Sequence, residues 1–342
     1  MNKRRLNVPA ILLVVIIAAL AIFGIFKLIE YIMPRNEKYV VPGDHSAQQT
    51  TADTAVEPTG STEPENSEGA VYLKKDVVTY LVIGLDDSGH GGSSGKNQMA
   101  DFISLLVVDK TDKTFSVIQF DRDTMAPVDI LGIGGRKIRT VTEQLAYSHI
   151  YGSDNDMRCR NTATSVTKLI GGIKIDHYIS VTMNAVPALN DYVGGVTLTL
   201  EDDEDLTSIS PAWTTGSTIT LVGDEALAFI RGRAGVEDET NISRMRRQRQ
   251  YLEALMRMHN GNSFSYSYAE GAYNAISEYS VTDMNDARTI SELVNYVSDY
   301  SYTGIFVPEG ESVLGGEYME FWIDAEKMQE LINDIFYEKK RG

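Results

Sequence analysis

Three apolar runs constrain this chain more than any other feature. Residues 79–85, 102–108 and 114–120 are rich in Val, Ile, Leu and Phe and show little alternation with polar residues. A strand with one wet face alternates, so runs of this kind suit strands covered on both faces. The polar stretch Asp109-Lys110-Thr111-Asp112-Lys113 between the last two predicts a hairpin. A sheet covered on both faces needs much apolar material, and 43% of the 342 residues are hydrophobic. That excludes a wholly disordered chain.

Downstream, helices and strands alternate. Asn161 predicts the N-cap of a helix to about Ile170, closed by Gly171-Gly172. A strand over 178–181 follows, then a helix from Asn184 through Val193 ending at Gly194-Gly195, then a strand over 196–200. Asp224 predicts the cap of a helix over 225–230, and Ser243 that of a long helix through His259. The final 80 or so residues alternate similarly with no linker, so they belong to the same body. The pattern predicts an α/β fold, an α/β/α sandwich around a central mixed sheet.

Ahead of this body the charge is unevenly spread. Residues 1–35 carry five cations against Glu30, a net of +4; residues 36–70 carry one Lys against seven acids, a net of −6. The whole chain is at −17, which leaves −15 for residues 71–342. Val8 to Phe26 is 19 residues without a charge, preceded by Lys3, Arg4 and Arg5. A helix that crosses the hydrocarbon core needs about 20 apolar residues, and the basic flank favours a cytoplasmic N-terminus. We therefore expect a cytoplasmic tail over 1–7, a single transmembrane helix over 8–29, a disordered extracytoplasmic tether over 30–70 and a folded body over 71–342. The alternative is a cleaved signal peptide with Ala19-Leu20-Ala21 as its site, but apolar residues continue past it. Such a chain would sit in the cell membrane with its body outside the cytoplasm. An acidic body repels nucleic acid, so no nucleic-acid partner is expected. Cys159 is the only cysteine, which rules out an internal disulfide and a Cys-x-x-Cys zinc site.

Three clusters carry candidate chemistry. Asp86 and Asp87 follow the first apolar run and Asp101 precedes the second; hard carboxylates at neighbouring strand ends suit a Mg²⁺ bound to phosphate. Solvated turn acids are the plainer reading. Asp121-Arg122-Asp123-Thr124 follows the third run, where Arg122 either forms a surface ion pair or faces a phosphate with Asp123 behind it. The third cluster places Arg231 and Arg233 at the exit of a short helix, ahead of Arg244, Arg246, Arg247 and Arg249. At about 100° per residue Arg244, Arg247, Gln248 and Tyr251 share one wedge, beside a stripe of Met245, Leu252 and Met256 expected to contact the core. Guanidinium forks near a helix N-terminus make a ready anion site. The alternative is a solvated basic face paired with the acids at 201–205.

The ordered set Ile83-Gly84-Leu85-Asp86, Asp101, Arg122-Asp123-Thr124, Gly194-Gly195-Val196, Arg231-Gly232-Arg233 and Arg244-x-x-Arg247-Gln248 resembles the LytR–CpsA–Psr family. The resemblance implies an envelope transferase that moves a glycopolymer from a polyprenyl-pyrophosphate carrier to a peptidoglycan sugar hydroxyl. It implies Asp86 and Asp101 as Mg²⁺ ligands, and Arg122, Arg231, Arg233, Arg244 and Arg247 as the pyrophosphate clamp with Gln248 beside them. Arg122, Asp123, Arg231 and Arg233 would be catalytic. An apolar cavity would take the lipid. Loss of catalysis, leaving a polyprenyl-phosphate binder or envelope scaffold, is the alternative implied by two departures. Met99 stands where the family commonly has Arg, and Thr142 where it commonly has Lys; Lys96, Arg136, Lys137 and Arg139 are the nearby cations that would substitute. His149 and His177 read as structural, Trp213 and Trp322 as packing residues, and Cys159 lies between two arginines that would lower its pKa.

Overall fold

The protein is described from a computed structural model covering residues 71–85, 98–201, 205–232, 241–258, 266–284 and 299–339, apart from 75 and 317, with a few positions between 285 and 298. The predicted tail, transmembrane helix and tether, residues 1–70, lie outside the described residues. Among the described residues no helix is long and apolar enough to cross a membrane.

The chain runs β1 (Val71–Leu73), β2 (Val77–Leu85), β3 (Ala100–Asp109), β4 (Thr114–Phe120), β5 (Met125–Leu131) and β6 (Lys137–Gln144), then a 3-10 turn at Leu145–Ile150. Next come α1 (Asn155–Leu169), β7 (His177–Thr182), α2 (Ala185–Val193), β8 (Val196–Thr199), β9 (Thr218–Leu221), α3 (Asp224–Arg231) and α4 (Asn241–Met258). α5 (Tyr266–Ile276), β10 (Ser280–Thr282), β11 (Ser301–Phe306), β12 (Gly310–Gly315), β13 (Tyr318–Ile323), α6 (Ala325–Phe336) and β14 (Tyr337–Lys339) complete it.

The three apolar runs become β2, β3 and β4, an antiparallel meander at the centre of a six-stranded sheet ordered β10-β7-β2-β3-β4-β11. β7 joins β2 and β11 joins β4 in parallel, so the sheet is mixed, as expected. All ten residues of β3 are buried, so both faces of the sheet are covered. The hairpin turn is made by Asp109, whose Oδ1 accepts from the backbone N–H of Thr111 at 2.9 Å and Asp112 at 3.0 Å. Since β10 and β11 are the sheet's two edges, the C-terminal region is part of this body.

One expectation is corrected. α1 begins at Asn155, where Asp154 accepts from Met157 N–H at 2.8 Å, six residues before the expected cap. Asn161 is instead buried within α1 and donates to the carbonyls of Asp129 and Ser148. The strand at 196–199 pairs with β9 in a separate two-stranded sheet, because the Gly194-Gly195 turn at positive φ redirects the chain after α2. A Cβ on Gly195 would meet the Leu221 carbonyl at 2.9 Å, so that turn needs glycine for space as well as for φ.

Candidate active site

Antiparallel pairing of β3 with β4 sets Ile103 opposite Phe120. Continued two residues towards the sheet end, the same register places Asp101 opposite Arg122. The side chains meet there: Arg122 Nη1 donates to Asp101 Oδ1 in a short charge-assisted bond. Arg122 Nε lies 3.3 Å from Asp123 Oδ1. Burial opposes the Arg122 charge, yet the carboxylates of Asp101, Asp123 and Asp121 outweigh it and hold its pKa above the ordinary value. The guanidinium is thus permanently charged and fixed in plane.

The segment after β4 is fastened on three sides. Asp121 Oδ1 accepts from Asp123 N–H at 2.8 Å and from Asn241 Nδ2 at 2.5 Å, tying the turn to the start of α4. Ala146 N–H donates to the Arg122 carbonyl at 3.0 Å, and Phe321 N–H of β13 donates to the Asp123 carbonyl at 2.9 Å. Gln144 Nε2 donates both to Asp123 Oδ1 at 3.2 Å and to the Met319 carbonyl at 2.6 Å. Asp121, Gln144 and Asn241 are therefore site-forming residues that sequence reasoning did not single out as such.

α4 brings the second cationic group. Arg244, Arg247 and Gln248 are each 1% exposed. As expected, Met245 and Leu252 are buried and Met256 packs against the core, but the arginine wedge is buried as deeply. The helix is enclosed from several sides, and neighbours satisfy its polar groups. Tyr251 donates to Asn190 Oδ1 at 2.8 Å and Gln250 Nε2 to the Thr199 carbonyl at 2.9 Å.

Arg247 has a definite task within the fold. Its Nε donates to the Phe229 carbonyl at 3.0 Å and its Nη2 to the Gly232 carbonyl, with Gln248 Nε2 making a longer contact of 3.5 Å to Ile230. These are carbonyls at the C-terminal end of α3 that lack partners within the helix. Arg247 and Gln248 so hold the turn that presents Arg231, which is half-buried. A further chain, Arg249 Nη1 to Gln119 Oε1 at 3.2 Å and Gln119 Nε2 to Gln248 Oε1 at 3.0 Å, links α4 to β4 just ahead of Arg122. Gln119, a lone amide in an apolar strand, was the available signal for that link. Arg246, outside the wedge, lies 3.7 Å from Glu201.

Asp86 and Arg233 lie outside the described residues. Asp101 can be tested for a metal: its Oδ2 is buried and meets no hydrogen-bond donor among the described residues. A hard anionic oxygen without a donor fits Mg²⁺, which takes one or two carboxylates plus substrate phosphate. Met99 Sδ sits 3.7 Å from Arg122 Nη2. Thr142 and Arg139 are exposed on β6 and Arg136 is exposed just ahead of it; Lys137, also exposed, lies 3.2 Å from Asp129, which also takes Lys168 at 2.7 Å. Lys96 lies outside the described residues.

Cys159 does not follow the expectation of a lowered pKa. Burial pushes its thiol up to about 12 and outweighs the weaker effect of Arg158. His149, whose Nε2 lies 3.6 Å from that sulfur, is brought down to about 4, mainly by burial. The pair is neutral and enclosed.

The model of the LytR_cpsA_psr family matches residues 44–333. Two curated relatives are both named polyisoprenyl-teichoic acid–peptidoglycan teichoic acid transferase TagU. That of Halalkalibacterium halodurans is 25% identical over 70% of this chain and 72% of its own. That of Bacillus cereus is 24% identical over 85% of this chain and 88% of its own. Among solved structures, TagV of B. subtilis superposes with a TM-score of 0.57 at 21% identity, covering 77% of this chain and 97% of that one. The likeness shows a common fold.

Proposed function

The chain belongs to the LytR–CpsA–Psr family, and from that premise we propose that it transfers an anionic glycopolymer from a polyprenyl-pyrophosphate carrier to a peptidoglycan sugar hydroxyl. One observation carries this reading to the residues: buried Asp101 and Arg122, with Asp123 beside them, stand at the end of β4, which Gln119 bonds to the arginine-bearing helix. A buried guanidinium recovers its desolvation cost only through good partners, and Asp101 and Asp123 supply them here and fix its orientation. The names of the curated relatives support the same substrates.

In this reading the acceptor oxygen forms a bond to the sugar-linked phosphorus. The bond to the bridging oxygen breaks, polyprenyl phosphate leaves, and the hydroxyl proton is released. Transfer of this kind needs positioning and charge neutralisation more than covalent help. Arg122 and Arg231, with Arg233 and Arg244, would meet the pyrophosphate oxygens. Asp101 and Asp123 orient Arg122, and Arg247 with Gln248 hold the turn that carries Arg231. Asp101 with Asp86 would hold Mg²⁺, which when bound neutralises further phosphate charge. The full assembly would be an α/β/α sandwich on a single transmembrane helix over 8–29. Its tether would have an r.m.s. reach of roughly 30–35 Å, keeping the body near an outer-leaflet donor.

A second reading, carrier binding without turnover, is favoured by Met99, which sets a thioether beside Arg122 where relatives commonly have a cation. One experiment separates the two. Full-length protein in nanodiscs is given a short-prenyl pyrophosphate donor, Mg²⁺ and peptidoglycan, and released polyprenyl phosphate is quantified with the new phosphodiester. Transfer that disappears in Arg231→Ala supports the first reading. Donor binding with no product favours the second, and full transfer by Arg231→Ala overturns the clamp.

A further inference from the structure

A groove of about 690 Å³ opens beside the catalytic turn. Asp121, Ile242 and Met245 of α4 and Trp322 of β13 are among the residues that line it. β13 is bonded directly to the catalytic turn, through Phe321 N–H to the Asp123 carbonyl and a bridge between Thr124 and Phe321. The groove is therefore continuous with the site and fixed relative to Arg122.

Its lining has a definite chemistry. Asp121, Glu309, Glu311 and Asp324 contribute four carboxylates against one cation, Arg249. The neighbouring groove on the other side of Arg249 has the opposite balance, with Arg246, Arg249 and Arg257 against Glu201 and Glu253. A polymer rich in phosphates is therefore repelled more strongly from the first groove than from the second, where Arg246 and Arg257 lie beside Glu201 and Glu253. Carboxylates only accept hydrogen bonds, so the first groove suits a ligand that is uncharged and rich in O–H and N–H donors.

Trp322 adds the apolar platform. The sequence reading as a packing residue holds for Trp213, 5% exposed and edge-on to Phe229. It fails for Trp322, which is 47% exposed while its Nε1 donates to Glu320 Oε2 at 2.9 Å. An indole with an exposed face and a tethered N–H offers a flat surface in a settled orientation at little entropic cost.

We propose that this groove binds the sugar chain of the acceptor, taking uncharged pyranose units, with Trp322 as a specificity-determining platform and Glu311 as a hydrogen-bond acceptor opposite it in the β12–β13 register. The assignment of the occupant as acceptor rests on the transfer reading above. It separates the two substrates by charge: the anionic donor is held on the arginine side, the neutral acceptor on the acidic side.

The test uses full-length protein in nanodiscs with chitohexaose as an uncharged probe and hexagalacturonate as an anionic one. Chitohexaose binding by calorimetry should weaken at least tenfold in Trp322→Ala, recover in Trp322→Phe and weaken severalfold in Glu311→Gln. Hexagalacturonate should bind at least tenfold more weakly than chitohexaose. Donor affinity should stay within twofold in all three variants, while the KM for acceptor rises in Trp322→Ala and Glu311→Gln and kcat changes little. No chitohexaose binding by the native protein, or equal binding by Trp322→Ala, would overturn the proposal. So would a loss confined to vesicle binding, which would make the β12–β13 hairpin a lipid contact. Glycan binding that depends on Trp322 in a protein that neither binds nor turns over donor would leave the groove standing and remove the transfer reading. Transfer with an unchanged acceptor KM in Trp322→Ala would do the reverse.

Discussion

β3 and α4 are both buried, yet by opposite means. β3 fills its ten positions mostly with aliphatic side chains and sits in the sheet's middle. α4 buries Arg244, Arg247 and Gln248 to the same depth, and it holds Arg247 and Gln248 through neighbouring carbonyls and amides. Apolar burial stabilises on its own account, while a buried cation recovers its desolvation cost only through good partners. The difference separates the part of the molecule that holds the fold from the part kept for chemistry.

Removing side chains should expose that difference most strongly. Leu106→Ala, in β3 and fully buried, should destabilise by about 2–5 kcal/mol in urea unfolding, through lost burial and a cavity. Arg244→Met, equally buried, should reduce transfer at a smaller cost in stability, about 1–3 kcal/mol, from the polar partners it leaves behind. A loss in Arg244→Met larger than that in Leu106→Ala would break the comparison.

His149 offers the next largest effect, since it is buried but held neutral. Its pKa falls from 6.5 to about 4 on folding, so the unfolded chain binds the proton more readily. Stability is therefore full above about pH 6.5, declines as pH falls towards 4, and levels off below. The drop should be on the order of 3 kcal/mol, and His149→Gln should flatten it. An unchanged profile in that variant would move the acid sensitivity to other groups.

The smallest effect belongs to an exposed pair on α4, Arg257 with Glu253 at 3.8 Å. Arg257→Ala should cost no more than about 0.5 kcal/mol, measurable as a small shift in the urea midpoint. A larger loss would mean that the outer face of α4 is as tightly coupled as its inner one.

Much of this was legible in the sequence because it depends on local pattern. The unbroken apolar runs specify the meander, the polar turn specifies its register, and that register alone sets Asp101 opposite Arg122. The hairpins β5–β6 and β12–β13 were missed because β6, β12 and β13 are largely exposed and show weak apolar periodicity. Asn161 read as a cap because its side chain competes for backbone groups, and it does so here with carbonyls from elsewhere in the chain. A helical wheel groups Arg244 with Arg247 but cannot tell what covers them, so their burial and the ties to α3 emerged only from tertiary packing. The exposure of Trp322 is likewise a property of the packed hairpin.

The central claim is that the Asp101–Arg122 pair is kept for chemistry rather than for stability. A double-mutant cycle tests it most directly, with unfolding free energy and transfer measured on Arg122→Met, Asp101→Asn and the pair combined. Arg122→Met alone leaves a buried carboxylate beside a lost partner and should cost about 3–5 kcal/mol. The combined variant should regain most of that stability and remain inactive in transfer. Restored transfer in the combined variant, or wild-type transfer in Arg122→Met, would contradict the account.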